Sequence, residues 1–384
     1  ETLEKKAHIF PVKDALLYIP ADPLGLEGTG FQGANLWAAK NPEFGATFTL
    51  FIKDEYPTLK GTRQEKEKAP LVPELPEVET VRSGLTSALS NSKVLKIEVL
   101  DERSLKRHLA GPADFVNTLL DAKILAVVRR GKFLWMPLEL SKVADTEQKH
   151  FALVGHLGMS GQMLIRDAGA EPDKLTRIVI HLEAQDGSPI EFRFVDQRIF
   201  GSLQIDELVS TPDGGQGGFS DSALRAGEWL HKIPRSAAHI SRDPLDPEFK
   251  VAAVIKRMRG KNSGIKRVLL DQGVVSGIGN IYADEALWAA KLHYDRPAKD
   301  ISAAKLGALM TEVQGILARA VEAGGTSFDE QYKNVNGESG YFEVSLNAYG
   351  QTDKPCNRCG TPIRRDSWMN RGSHFCPKCQ KLTR

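Results

Sequence analysis

Four cysteines lie between residues 356 and 379, and the chain has no others. They form two pairs, Cys356/Cys359 and Cys376/Cys379, each with two residues between its thiols. That spacing lets both thiolates of a pair reach one ion from a tight turn, and four thiolates close a tetrahedral shell around a single Zn²⁺. A closed shell leaves no position for water, so the expected zinc is structural and not catalytic. A disulfide scaffold would instead spread its cysteines through the domains it staples. The other readings are four free thiols in a reducing cell or a redox pair, and no βαβ pattern surrounds the pairs. Over 350–384 eight basic residues face only Asp353 and Asp366, a net charge of +6. Such a charge suits phosphate contact, although a solvated basic face would look the same.

A second concentration of charge is "KRMRGKNSGIKR" (256–267), with six basic residues and no acid. "LLDQGVVSGIGNIYADEALW" (269–288) follows it closely. Two helical pieces joined through Gly277 and Gly279 would leave backbone N–H groups free where the second helix starts. That is an anion seat, with the Asn280 side chain as a further donor. Gly-x-Gly alone is more often a simple turn. Beside the basic run it becomes a phosphate-binding candidate, with Lys266 as a phosphate contact.

These groups need elements to hold them. Val78, Val81, Leu85 and Leu89 recur at helical spacing, with Glu79, Arg82 and Ser83 expected to face away from the core. Strand-like runs follow at 124–136, 151–159, 177–184 and 190–205, with Asp186-Gly187 as a hairpin signal between the last two. Ile190, Phe192 and Phe194 alternate with Glu191 and Arg193, as on a half-buried strand. Strand after strand with hairpins predicts a β-sandwich. "PDGGQGGFSD" (212–221) reads as a flexible break. Beyond it, Leu306, Leu309, Val313, Ile316, Leu317 and Val321 share one face of a helix over 302–325, which Gly324-Gly325 stop.

The whole chain sets broad limits. Its 384 residues allow two or three domains with real cores. Hydrophobic content of 41% and charged content of 26% are ordinary, and a net charge of +2 carries no global signal for nucleic acid. No apolar run reaches the ~18 residues of a membrane helix, and the first residues lack the apolar segment of a signal peptide. The expectation is a cytoplasmic protein with no membrane partner. Residues 1–71 end in the charged run "KGTRQEKEKAP", which reads as a linker. Through "FPVKDALLYIP" and "GFQGANLWAAKNPEFGATFTLFIKD", this segment resembles the tail that follows the propeller in sortilin-like, BNR-repeat proteins.

From Pro73 onward several long motifs stand in a fixed order. They are "PELPEVETVRSGL", "RRGKFL", "HLGMSGQM", "FVDQRIFG", "LLDQGVVSGIGNIYADE", "GGTSF", "NGESGYF", "AYGQ" and the four cysteines. Together they resemble the formamidopyrimidine-DNA glycosylase family of bacterial base-excision repair enzymes, over residues 73–384. The resemblance implies an α+β multidomain chain. A catalytic β-sandwich domain is expected over 73–207, a linker over 208–240, a helix–two-turn–helix DNA-binding domain over 241–345 and a zinc finger over 346–384. It implies a monomer acting on damaged double-stranded DNA that lies between the domains, near the bacterial nucleoid.

The family's chemistry uses an N-terminal proline amine, which titrates near ~8 and attacks C1′ of the damaged nucleoside. The resemblance places that role on Pro73. It also implies that Glu74 moves protons at the sugar, that Lys132 assists β-elimination, and that Arg371 holds phosphate and assists δ-elimination. Met159, Arg198 and Phe200 match the residues that fill the void when the base leaves the stack; in isolation Met159 and Phe200 read as core. Leu175, Asn262 and Glu338 depart from common family residues at DNA contacts, and Asn262 remains a candidate contact beside Lys261. Leu75 and the complete Met159/Arg198/Phe200 set favour oxidised purines over the oxidised pyrimidines of the related endonuclease VIII branch. Pro73 nevertheless follows Val72 in an ordinary peptide bond. A third reading is therefore an inactive DNA-binding fusion. Valine can be encoded by GTG, a bacterial start codon, so translation from position 72 would free Pro73.

Overall fold

A computed structural model describes residues 7–9, 50–52, 73–141, 149–220, 227–325, 346–369 and 371–382. The chain divides into two compact units, 1–68 and 69–384. In the first, strands β1 (Ala7–Ile9) and β2 (Leu50–Ile52) pair antiparallel. The rest of the sortilin-like segment, Val72 and the "NGESGYF" motif with Glu338 lie outside the described residues.

The second unit opens with helix α1 (Leu75–Leu89). Strands β3 (Lys93–Val99), β4 (Lys123–Ile124), β5 (Val128–Arg130), β6 (Phe133–Glu139), β7 (His150–His156), β8 (Gly161–Asp167), β9 (Thr176–Glu183), β10 (Pro189–Asp196), β11 (Ser202–Ser210) and β12 (Lys232–Pro234) follow. They form one antiparallel ladder in the order β12-β11-β7-β6-β4-β3-β9-β10-β8, with β5 paired to β6. The ladder folds over itself: Met163 of β8 lies against Gly155 of β7, where a Cβ would collide with its terminal methyl. One core joins Val78, Val81, Leu85 and Leu89 of α1 to Leu134, Leu153, Ile180, Phe192 and Phe194 of the sheet, with Phe115 and Leu119 of α2 (Pro112–Leu119) closing one side. The sandwich is thus a single folded sheet around the helix that the apolar spacing predicts.

Three expectations need correction. Glu79 and Arg82 do not face solvent. Both are buried and ion-paired with each other at 2.8 Å, because Arg129 reaches Glu79 from the sheet at 2.7 Å. Run 124–136 is a hairpin, broken at Gly131 by φ of 58°, and 190–205 is two strands with a turn over 197–201. The Gly-rich 212–220 stretch is packed, not loose. Gly217 N–H donates to the Leu230 carbonyl at 2.7 Å, Phe219 pairs with Arg129, and β12 joins β11 within the presumed linker. A Cβ on Gly218 would meet the Arg129 carbonyl oxygen at 2.5 Å, so these glycines permit close backbone approach.

The helical part comprises α3 (Val251–Arg259), α4 (Ile265–Leu269), α5 (Asn280–Ala289) and α6 (Ala303–Glu322). Ser302 caps α6, accepting from Lys305 N–H, and Gly324 and Gly325 end the helix with φ of 77° and 87°. Its core of Met258, Ile265, Leu269, Ile281, Tyr282, Leu309, Met310 and Leu317 also takes in Leu75 from the start of α1. The finger follows as the hairpin β13 (Arg364–Trp368) and β14 (Arg371–Phe375). Among the described residues, no helix is long and apolar enough to cross a membrane.

Candidate active site and zinc centre

The start of α1 meets the start of α5. Leu75 N–H donates to the Gly277 carbonyl at 2.9 Å, and the Leu75 side chain occupies the space a Cβ on Gly277 would need. This contact brings Glu74 over the N-terminus of α5. Its carboxylate accepts from Gly279 N–H at 2.6 Å, Ile281 N–H at 2.9 Å and Tyr282 N–H at 3.4 Å. The anion seat expected at the Gly-x-Gly turn is therefore real, but its occupant is the protein's own carboxylate and not a phosphate. Glu77 completes the frame, accepting from Glu74 N–H and from the Tyr282 hydroxyl, both at 2.9 Å.

Burial pushes the Glu74 carboxyl up to about 7, against the opposing pull of Lys132 and the α5 N–H groups. Lys132 sits at the β5–β6 turn. Burial draws its ammonium down from the ordinary lysine range, Glu74 and Glu77 hold it up, and Arg371 opposes them. Pro73, Glu74, Lys132 and Arg371 are thereby gathered from three separate parts of the chain. The Lys132 turn is held from below. Asp243 accepts from Gly131 N–H at 3.0 Å and from Arg129 at 2.9 Å, while Arg129 also binds Glu79. No sequence motif marks Asp243, which is fully buried.

The finger presents Arg371 as an exposed side chain at the start of β14. A cavity of about 510 Å³ lined by Lys261, Arg267, Asp271, Trp368, Met369 and Arg371 opens between finger and helices. Exposed Asn262 lies between two residues of that lining, Lys261 and Ser263. Lys266, expected as a phosphate contact, is turned inward in this structure. It is 0% exposed, 2.6 Å from Asp284, and donates to the Gly372 carbonyl and Ser373 Oγ, each at 3.1 Å. Asn280 donates to the same Gly372 carbonyl at 3.1 Å, and His374 N–H reaches Asp284 at 2.9 Å. Both predicted contacts thus hold the Arg371 strand in place. That both turn toward Gly372 of the finger could not be read from charge alone.

The four cysteine sulfurs lie within 4.8 Å of one another, with Cys359 3.5 Å from Cys376 and 3.4 Å from Cys379. A tetrahedron with Zn–S near ~2.3 Å has edges of about 3.8 Å, so the set fits one structural zinc. Cys379 N–H and Trp288 Nε1 donate to Cys376 and Cys356 sulfurs, each at 3.4 Å, as thiolate ligands require.

Met159, Arg198 and Phe200 stand together on two touching loops, 157–160 and 197–201. Phe200 is 46% exposed, not core. Leu175 is also exposed, with φ of 65° just before β9.

The sequence matches three successive family domains. These are the formamidopyrimidine-DNA glycosylase N-terminal domain over 72–203, the formamidopyrimidine-DNA glycosylase H2TH domain over 240–331, and the zinc finger found in FPG and IleRS over 353–382. A formamidopyrimidine-DNA glycosylase of Leifsonia xyli is 50% identical over 312 residues, covering 81% of this chain and 100% of that protein. The chain belongs to the formamidopyrimidine-DNA glycosylase family. A Rhodococcus opacus member is 48% identical over 313 residues, with 82% and 98% covered. The Lactococcus lactis Fpg bound to abasic-site DNA superposes with a TM-score of 0.63 at 28% identity, over 80% of this chain and 100% of that one. The same protein has been solved with Fapy-dG DNA, at a TM-score of 0.62 and 27% identity, again over 80% and 100% of the two chains.

Proposed function

We propose that residues 73–384 excise oxidised purines from duplex DNA and cleave the resulting abasic site, once Pro73 is the chain's first residue. The observation that carries this reading is the Glu74 carboxyl, desolvated on the α5 N-terminus beside Lys132 and directly after Pro73. A free proline amine attacks C1′, and the C1′–N9 bond breaks as the base leaves with its electron pair. Glu74, with a pKa near neutrality, is suited to give a proton to the sugar ring oxygen, so that the ring opens to the iminium. The iminium acidifies the adjacent sugar C–H and the 3′-phosphate departs by β-elimination. Lys132, whose neutral form is favoured by burial, is placed to take that proton. Arg371 is exposed beside it to hold phosphate through the following δ-elimination.

Zinc, held by Cys356, Cys359, Cys376 and Cys379, contributes structure only. Chromosomal DNA in the bacterial cytoplasm is the substrate this reading requires. The family relatives named formamidopyrimidine-DNA glycosylase, and the DNA complexes of the Lactococcus lactis protein, support it.

With Pro73 in peptide linkage to Val72 the nitrogen is a planar amide, its lone pair delocalised into the carbonyl. It can neither attack C1′ nor form an iminium. The test is borohydride trapping on 8-oxoguanine DNA, since borohydride fixes only an iminium adduct. A chain beginning at Pro73 should be trapped and the mass-verified 384-residue chain should not. Efficient trapping of the intact chain would place the nucleophile on another amine.

A further inference from the structure

Asp196 ends β10 and is 0% exposed. A buried carboxylate demands compensation, and neutral donors from the two loops described above supply it, while Arg177 of β9 donates to the Asp196 carbonyl at 2.8 Å. Ser160 Oγ–H donates to Oδ1 at 2.5 Å, from the loop that carries Met159. Arg198 N–H donates to the same oxygen at 3.1 Å and Gly201 N–H to Oδ2 at 2.7 Å, from the loop that carries Arg198 and Phe200. Arg198 N–H also reaches Ser160 Oγ at 3.2 Å, closing the link between the loops.

The loops touch elsewhere too. A Cβ on Gly158 would lie 2.6 Å from the Phe200 carbonyl carbon and from Gly201 N. Between Arg198 and Phe200, Ile199 adopts φ of 57°, a conformation that a β-branched residue holds only under constraint. Lys106 donates to its carbonyl at 2.6 Å from outside, while Asp196 binds Arg198 before it and Gly201 two residues after it. On the other loop, Gly158 N–H donates to His156 Nδ1 at 3.1 Å, and burial keeps that imidazole neutral with a pKa near about 4.

We propose that Asp196 is a positioning residue that locks the two loops into one rigid wedge, so that Met159, Arg198 and Phe200 enter the duplex together and confer preference for stacked lesions over open abasic sites. This rests on the void-filling role given to those three residues, and it adds the group that sets their geometry. Asp196, fully buried, would act only through the loops it holds. A loose wedge would bind a site that is already open almost as well, but it would lose the binding that drives a stacked base out.

The test uses the complete 384-residue chain, because binding needs no free amine. Affinity would be measured by fluorescence anisotropy for duplexes carrying 8-oxoguanine or tetrahydrofuran opposite cytosine. A pyrrolocytosine in the orphan position would report wedge insertion. Asp196→Asn keeps the shape but removes one acceptor, and should weaken 8-oxoguanine binding by about tenfold and tetrahydrofuran binding by about threefold or less. The pyrrolocytosine response should shrink. Phe200→Ala should show the same discrimination, and adding it to Asp196→Asn should cost little more, since both act through one wedge. Ser160→Ala, a milder change, should move all readouts in the same direction if Asp196→Asn fails to fold.

Equal loss on both duplexes, no loss on either, or multiplicative effects of the two substitutions would overturn the positioning role. If Phe200→Ala discriminates and Asp196→Asn does not, only this inference falls. If Phe200→Ala itself does not discriminate, the void-filling role falls and this inference with it.

Discussion

Replacing Lys266 by methionine separates a positioning role from a phosphate contact. Methionine retains most of the side-chain length and removes the charge. In the native fold the ammonium lies 2.6 Å from Asp284 with no solvent exposure and supplies two further hydrogen bonds to Gly372 and Ser373 of the finger. Removing one partner of a buried pair typically costs ~3–5 kcal/mol, because the other charge is left without compensation. Here Asp284 keeps His374 N–H at 2.9 Å and Ser373 Oγ at 3.3 Å as donors. The lower end, about 3 kcal/mol, is therefore expected. With an unfolding entropy of about 2.1 cal/mol/K per residue, that corresponds to a fall of roughly 4–5 °C in Tm for a chain of this size. The assay is a calorimetric melt of zinc-loaded protein, with DNA binding measured across a salt series in parallel. The refuting result is an unchanged melt with a log–log salt slope smaller by about one, the signature of a lost phosphate contact.

Three other outcomes follow from the site. In a chain beginning at Pro73, the neutral amine increases as pH rises toward ~8, while the Glu74 acid form is lost above about 7. kcat/KM should therefore peak near neutrality. Glu74→Gln should lower it by about 10²–10⁴ and abolish the alkaline descent; a descent that persists in the variant would assign it to another group. Cys376→Ser should lose stoichiometric zinc and weaken binding to every duplex alike, and unchanged metal content by atomic absorption would refute the four-thiolate site. Gly277→Val should displace Leu75 and with it Glu74, because its Cβ would stand 2.6 Å from the Leu75 methyl. The expected reading is a fall in kcat with a smaller change in DNA affinity, and an unaltered kcat would show that this contact does not set the position of Glu74.

Local chemistry, written in short stretches of sequence, already determined much of this protein. Two Cys-x2-Cys pairs define a zinc shell because ligand spacing is local, and the 302–325 helix follows from its own period and its terminal glycines. The motif order placed Pro73, Glu74, Lys132 and Arg371 in one family site. Only the tertiary structure decided what each charge faces. Glu79, Arg82 and Lys266 look like solvent-facing or phosphate-facing groups in sequence, yet Arg129 and Asp284 approach them from 50 and 18 residues away. The glycines of 212–218 have the composition of a flexible break, and the structure uses them to let backbones meet. The α5 N-terminus is an anion seat in either view, but that Glu74 fills it depends on Leu75 entering the helical core against Gly277. Asp196 stands inside the "FVDQRIFG" motif, but its role is not legible there, because it lies in joining two loops that are distant in sequence. Burial and pairing are properties of the packed chain, since they depend on which distant segments exclude water from a group.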